Sequence, residues 1–550
     1  MTTDLSLATQ ILESSFDALE LDVNDWYNST VYDGSNLANN QTSEFIRDQF
    51  GKMKRGLGWS RYIPPSEIAK FICSCLGYDL LRYSPVRSLL IESFLSQNND
   101  DDNEINSQRL ALSDILGMSA NVSNFELTKE VSEMSWRPSS RSAIAICQAI
   151  GLPTRFAVVG SSENLEPVLI ANSVERLFPL LDFQEHVKSE LISVIKARDR
   201  SMVCMPTGAG KTRTAVEALL ECFSSSSEFK GGILWIADRQ ELCEQAVQTF
   251  YHLTMFLAPG TPIYRLWGGM NPEIEFTFDE NKSGFSGIVV TSTQQLRSRL
   301  KNRDLNSIKI RDLCDVIIID EAHRNLDWCI HFITESLGRN DYPSVIGLTA
   351  TPRRRVRNET TELARIFGEN MISPLPNSHE EFNSAIDLLT KRRILANRID
   401  VTINDLEIEL QTDYNAPLSL NDAFVVSTKL REKYNLKSLL VFTESVEQSK
   451  SLSLMLNMAG YSSKHIDGST PPFQRKRVID EFRDNNLQFL TNYDILTTGF
   501  DAPKTDGVII LRATEDVQQP LIIQMIGRGL RGPKFGGSED CYFFIRGESS

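Results

Sequence analysis

From about residue 175 onward the sequence alternates short apolar runs with longer stretches of helical period. Runs of strand type fall at Met202–Met205, Ile233–Ile236, Gly287–Thr291, Val316–Ile319 and Val345–Leu348. After a stretch of linker character around 370–400 the alternation restarts, with runs at Leu439–Phe442, Lys464–Ile466, Gln488–Leu490, Gly507–Leu511 and Tyr542–Ile545. Between these, Ser445–Met458, Gln474–Arg483 and Gln519–Ile526 carry helical patterns. A run that is apolar throughout has no side to give to water. It must be covered on both faces, as the strands of a parallel sheet flanked by helices are. The pattern predicts an α/β fold with two similar units in tandem. The chain stops five residues beyond the last predicted strand, as a piece cut from a longer protein would.

The first 170 or so residues read differently. Helical patterns such as Ile68–Leu76 and Arg141–Ile150 are mixed with polar stretches, and the acidic run Asn98–Glu104 reads as a loop. No phosphate loop, metal-ligand spacing or nuclease-like carboxylate cluster stands out there. We expect a mostly helical accessory domain over 1–174, an α/β domain over 175–375, and a linker with a second α/β domain over 376–550. A chain of 550 residues is too long for one core, which agrees with this division.

Composition narrows the class. Hydrophobic content of 41% and charged content of 23% are those of a soluble globular protein. The N-terminus has neither a basic nor a long apolar region of signal-peptide type, and no run approaches the roughly 18 apolar residues of a membrane span. The nine cysteines are scattered; Cys73 and Cys75 form a lone C-x-C, and six well-spread histidines add no zinc framework. Buried free thiols in a reducing cytoplasm are expected instead. The net charge of −15 argues against coating nucleic acid nonspecifically, but leaves room for a groove lined by Arg353–Arg357 or Lys391–Arg393.

Three strings carry the chemistry. The run Ser201–Met205 leads into Pro-Thr-Gly-Ala-Gly and then Lys211-Thr212, which opens a helical segment. In that setting the backbone N–H groups of Thr207, Gly208, Ala209 and Gly210 and the helix N-terminus face an anion. Lys211 would neutralise the β- and γ-phosphates of a nucleotide, and Thr212 would place its hydroxyl on Mg²⁺. Met205 stands where such loops usually begin with Gly. Val316–Ile319 runs straight into Asp320-Glu321, which puts two carboxylates at the ligand-binding edge of a sheet. Asp320 would hold Mg²⁺ and Glu321 would orient and polarise the attacking water. About two hundred residues further on, Arg528 and Arg531 have the permanent charge and forked donors that suit a γ-phosphate in the transition state, with Gln524 within reach. Taken singly, the plain alternatives are a glycine turn before a helix, two surface acids at a strand end, and a basic helix face.

In this order the strings resemble the motifs of superfamily 2 helicases and translocases of the DEAH-box type, with Asp320-Glu-Ala-His323 as the box. The resemblance covers Asp182–Ile545, about two thirds of the chain. It is nearest in flavour to the branch of restriction-enzyme motor subunits and RadD-like helicases. Asp467-Gly-Ser-Thr-Pro471, Arg475-Lys-Arg477, Leu496–Pro503 and Gly527-Arg-Gly-Leu-Arg531 carry it. The resemblance implies two RecA-like domains with ATP and Mg²⁺ held between them, and hydrolysis coupled to movement along nucleic acid, DNA being favoured over RNA.

It also implies roles for particular residues. Gln184 matches the adenine-reading glutamine, although Leu181 and Asp182 stand where relatives often carry Arg. Gly499 and Asp501 would lie near the nucleotide and sense closure, and Thr349-Ala-Thr351 would couple hydrolysis to the nucleic-acid face. Gly268, Gly269, Thr291, Ser292 and Thr293, with Thr443 and Thr497, match phosphate-contacting positions, where small donors bind a backbone without reading bases. Pro503–Gln524 is too short for the long β-hairpin of many strand-separating relatives, which favours translocation on a duplex, remodelling or limited unwinding unless the N-terminal domain supplies a wedge. Two other functions fit the same motifs: an ATP-gated nucleic-acid sensor, and the motor of a restriction or defence complex whose nuclease is another chain. In either, the N-terminal domain would be the platform for a protein partner. No membrane role is expected.

Overall fold

A computed structural model of the chain describes residues 3–28, 40–56, 63–96, 103–157, 166–171, 179–225, 232–277, 284–322, 326–337, 343–350, 364–374, 382–411, 418–496, 502–512 and 519–547. The chain forms two compact units, one of residues 1–164 with 403–493, the other of residues 165–402 with 494–550.

The second of these units holds an eight-stranded sheet. Its strands are β1 (Val168–Leu169), β2 (Arg200–Cys204), β3 (Ile233–Ala237) and β4 (Ile263–Leu266), followed, after the two-stranded ladder β5 (Phe276–Thr277) and β6 (Gly284–Phe285), by β7 (Ile288–Ser292), β8 (Val316–Asp320), β9 (Ser344–Thr349) and β10 (Met371–Ile372). Their order is β1-β4-β7-β3-β8-β9-β2-β10. β1 is antiparallel to β4, and the other pairings are parallel. Every residue of β3, β7, β8 and β9 is buried, the two-sided cover that their unbroken apolar runs require. Because β2, β3, β8 and β9 run the same way, their C-terminal ends share one edge, where α/β sheets bind ligands.

The later strands are β11 (Asn397–Asp400), β12 (Leu439–Phe442), β13 (Ser463–Ile466), β14 (Phe489–Asn492), β15 (Gly507–Ile510) and β16 (Asp540–Ile545). In the unit just described β16 lies between β11 and β15; in the other, β14 lies between β12 and β13, all parallel. The predicted strand runs reappear with ends moved by a residue or two. The predicted helices reappear as Val446–Met458, Pro472–Arg483 and Gln519–Gly527.

The described part of residues 3–157 is helical and has no strand among the described residues. Arg87 is a keystone there. Its guanidinium is buried and donates to Val131 O (2.7 Å), Ser132 O (2.8 Å) and Met134 O (3.0 Å), at the C-terminal end of helix Asn124–Glu133, and to Leu81 O (2.7 Å). Cation and helix dipole are complementary, yet burial still pulls the Arg87 pKa down to about 10. The acidic run corrects one expectation: residues 98–102 lie outside the described residues, and its last two already belong to helix Asn103–Ile115 rather than to a loop. The cysteines are free thiols, buried except for half-buried Cys75. No described helix is long and apolar enough to cross a membrane.

Candidate active site

The site is built at the C-terminal edge of β2, β8 and β9, within one unit. β2 ends at Cys204, and the Met205 N–H donates to Thr349 O of β9 (3.1 Å), which fixes where the next loop leaves the sheet. Gly208 and Gly210 take left-handed backbone, φ +84° and +85°. At Gly210 the left-handed backbone favours glycine, and a Cβ, 2.4 Å from Gln184 Nε2, would have to push that amide aside. Lys211 and Thr212 then open helix Lys211–Ser225, whose N-terminus ends at the loop. The loop thus has the unobstructed backbone and dipole of an anion cradle.

Lys211 Nζ lies 3.3 Å from Glu321 Oε1 and 3.6 Å from Asp320 Oδ1. These side chains are only 12%, 9% and 3% exposed, so the ions are held by one another more than by water. Burial pulls the Lys211 pKa down, but the two carboxylates outweigh it and leave the pKa raised. Asp320 is also raised, chiefly by burial and further by Glu321, with Lys211 opposing. Glu321 has left-handed backbone (φ +52°), a conformation costly for a residue with a Cβ, and its N–H donates to Asp320 Oδ1 (3.0 Å). The turn after β8 thus aims both carboxylates at one lysine.

The arginine-bearing segment meets the same loop. Gln524 is buried on helix Gln519–Gly527 and its Nε2 lies 3.4 Å from Glu321 Oε2. A Cβ on Gly527 would come within 2.5 Å of Thr207 Cβ, so helix and loop approach as closely as a glycine allows. A Cβ on Gly208 would lie 3.4 Å from Arg531 Cγ, which places the Arg531 stem over the loop. Arg528 is half-buried in the turn that ends the helix, its N–H donating to Met525 O (3.2 Å). The structure therefore gathers Lys211, Asp320, Glu321, Gln524, Thr207, Gly208 and Arg531 around one loop.

Gln184 joins them differently. Its Oε1 accepts from Leu181 N–H and its Nε2 donates to Ala209 O, both at 2.9 Å. The amide ties the start of helix Asp182–Lys196 to the phosphate loop, so reading a base requires those bonds to open.

Among the nucleic-acid candidates, Gly268 and Gly269 form an exposed turn after β4, both with positive φ. Thr291 is fully buried and its hydroxyl donates inward to Leu266 O (2.8 Å), Ser292 caps helix Thr293–Lys301, and Thr293 Oγ1 donates to Ala237 O (3.2 Å). Thr443, in the other unit, is buried too, its hydroxyl donating to Ser445 O (2.8 Å) and Asn492 O (3.1 Å). The Thr291 and Thr443 side chains are thus structural ties in this conformation rather than exposed donors. His323, Thr351, Arg353–Arg357, Thr497, Gly499 and Asp501 lie outside the described residues.

Two ion pairs near the edge escaped the sequence reading. Arg239, two residues after β3, donates to Asp494 Oδ2 (2.9 Å). Arg392 pairs with Asp182 (2.6 Å), beside Gln184. The position of Arg239 at a strand's C-terminal end was a usable signal; the Arg392 contact, 210 residues away in sequence, had none.

A glycine loop between strand and helix, beside a strand that ends in two carboxylates, defines a nucleotide-binding α/β protein of the phosphate-loop class. Residues 177–354 match the family model described as type III restriction enzyme, res subunit, and residues 422–532 match the helicase conserved C-terminal domain. The chain is 25% identical over 399 residues to the putative ATP-dependent helicase IRC3 of Saccharomyces cerevisiae, covering 69% of this chain and 53% of that protein. It is 23% identical over 335 residues to the ATP-dependent rRNA helicase RRP3 of Ajellomyces capsulatus, covering 60% of each. Among solved structures, the DUF1998 helicase MrfA bound to DNA overlays with a TM-score of 0.47 at 12% identity, covering 70% of this chain and 50% of that one. The chain belongs to the superfamily 2 helicases and is related to motors of the restriction-enzyme res-subunit type. It spans about half the length of the IRC3 protein it matches.

Proposed function

We propose that this chain hydrolyses ATP and uses the cycle to move along, or remodel, a nucleic acid, with DNA as its track. The observation that carries this reading is the buried assembly of Lys211, Asp320, Glu321 and Gln524 beside a glycine-lined anion cradle. The donor set fits a nucleotide and its cation: backbone N–H groups and Lys211 for the phosphates, the Thr212 hydroxyl and Asp320 carboxylate for Mg²⁺. When bound, the ion neutralises phosphate charge. Glu321, released from Lys211, would then accept a hydrogen bond from the attacking water and take its proton, while Gln524 holds its other oxygen. Arg528 and Arg531 would stabilise charge that develops on the transferred group, an effect of about 10³–10⁵ in rate in NTPases that use such arginines. We assign the ATP-binding domain to 175–375, the helicase C-terminal domain to 376–550 and the helical accessory domain to 1–174. The preference for DNA follows the matched restriction-enzyme model, since restriction enzymes act on DNA; relatives named rRNA helicases make RNA the competing track.

The test is the steady-state ATPase rate in buffer and with single-stranded DNA, duplex DNA and RNA, with Lys211→Ala as the blank. Stimulation by a DNA form that vanishes in the variant is expected. Stimulation by RNA alone would move the track to RNA. A rate indifferent to every nucleic acid would sink the motor and leave only a nucleotide switch.

A further inference from the structure

The role of the helical N-terminal region is legible in the unit it shares with residues 403–493. Helix Val446–Met458 has almost no polar face: Ser449, Ser451 to Leu456 and Met458 are all buried. A helix buried all round lies between two layers. One side faces the sheet, where Ser449, Ser453 and Asn457, four apart, bond to His465 Nδ1 (2.6 Å), Ser463 Oγ (3.0 Å) and Ser463 O (2.9 Å) of β13. The other side, Leu454, Met455 and Met458, shares an apolar core with Leu12, Phe71 and Ile72.

Polar contacts fix the same joint at several points. Lys70 Nζ donates to Met458 O (2.8 Å) and so caps the helix C-terminus with a cation. Lys52 pairs with Glu447 in the first turn. Tyr78 holds the next helix, Pro472–Arg483: its ring lies 4.4 Å from the Arg477 guanidinium and 5.7 Å from Lys464 Nζ, and its hydroxyl accepts from Arg477 (2.5 Å) and donates to Asp4 (3.2 Å). Arg155 closes the cluster on Asp4 (2.9 Å).

The two helices so held are those that leave the loops Thr443–Ser445 and Asp467–Pro471 at the C-terminal ends of β12 and β13. The second loop is organised by Asp467, whose Oδ1 accepts from Ser469 N–H (2.8 Å) and Thr470 N–H (3.0 Å). Arg475 is folded back onto Thr470 O (3.0 Å). We infer that the described residues of 3–157 are not a detachable accessory. They form the third layer of this unit and position its two strand-end loops on the nucleic-acid backbone. This rests on the motor reading above. Tyr78 and Lys52 are positioning residues, and the Lys211 site belongs to the other unit.

The experiment uses the full chain and a DNA titration of ATPase, alongside the DNA-free rate, KM for ATP and thermal unfolding. Tyr78→Ala is expected to raise the DNA concentration for half-maximal stimulation about tenfold with the DNA-free rate and KM for ATP unchanged. Lys52→Glu should do the same more weakly, and adding Glu447→Lys should restore it. Should Tyr78→Ala fail to fold, the Lys52–Glu447 exchange decides the matter. DNA half-saturation unchanged in every folded variant overturns the inference while the motor stands. A wild-type chain that no nucleic acid stimulates is a different result, and removes the motor and this inference together.

Discussion

Replacing Lys211 by Met keeps most of the unbranched side chain, one heavy atom shorter, and removes the cation that two buried carboxylates share. Breaking a buried ion cluster by removing one partner costs about 3–5 kcal/mol. The structure offers one relief: with Lys211 gone, Asp320 and Glu321 lie side by side with almost no water, and one of them can take a proton. Holding a proton at pH 7 on a carboxylate of ordinary pKa near 4 costs about 4 kcal/mol, at about 1.4 kcal/mol per pH unit. The penalty is therefore about 4 kcal/mol at pH 7 and about 1.4 kcal/mol at pH 5. The sign follows from proton counting. In the folded variant the acid pKa is raised above its unfolded value, so the folded state binds more protons and stability falls as pH rises. Urea unfolding of both proteins at pH 5, 6 and 7 measures this, and Trp235 is a convenient reporter, buried in β3 beside β8. Wild-type Asp320 is raised too, but there Lys211 opposes the shift, so the stability gap should still widen with pH. A gap of the same size at all three values, or none, would refute the picture of a buried triad.

Three other substitutions probe different parts of the design. Gly210→Ala puts a methyl on left-handed backbone and 2.4 Å from Gln184 Nε2, so loss of the Gln184–Ala209 bond and at least a tenfold weaker ATP affinity are expected by nucleotide titration. Met455→Ala empties a fully buried site in the core shared by both parts of the first unit, and should cost about 2–5 kcal/mol in chemical unfolding. Asp467→Asn removes a carboxylate that burial pushes up but that Ser469, His465 and Lys450 together hold well below the usual range. A depressed acid stabilises the fold above its unfolded pKa, so the wild-type advantage should be constant from about pH 7 to 8, where His465 is neutral with or without Asp467, and its carboxylate part should fade below about pH 4 in acid titrations.

What could be read from the sequence follows from how locally each feature is encoded. β3, β8 and β9 are legible because burial on both faces leaves an unbroken apolar run. β4 is not, because Arg265 interrupts Ile263–Leu266; that arginine is buried only because Glu244 takes its guanidinium at 2.7 Å and Glu166 O accepts from it. β11 reads as loop because Asn397–Asp400 is a short, exposed strand with one apolar residue, half-exposed Ile399, among polar ones, held by main-chain pairing to β16. The phosphate loop and Asp320-Glu321 are contiguous strings, so spacing alone exposes them. Thr291 and Thr443 show the converse: a motif gives the residue type, but the hydroxyl's direction depends on a carbonyl one strand away.

The N-terminal region escaped because its role is written in another part of the chain. Helix Val446–Met458 spells Ser-Lys-Ser-Leu-Ser-Leu-Met-Leu-Asn-Met after its first turn, with apolar or small residues on every side but that of Lys450 and Asn457. A helix that covers one face of a sheet needs a polar outer stripe, and this one lacks it. Its composition already demands a second covering layer, and the helical patterns nearer the N-terminus are what the chain has to supply it. The demand and its answer lie more than three hundred residues apart, so a motif search that stops at the nucleotide site finds neither. The same argument bears on deletion: removing residues 1–164 would expose Leu454, Met455 and Met458 together. At about 1.5–3 kcal/mol for each side chain returned to water, that loss is comparable with the whole stability of a typical domain. A truncated protein that failed to express would therefore report a missing layer rather than a missing partner.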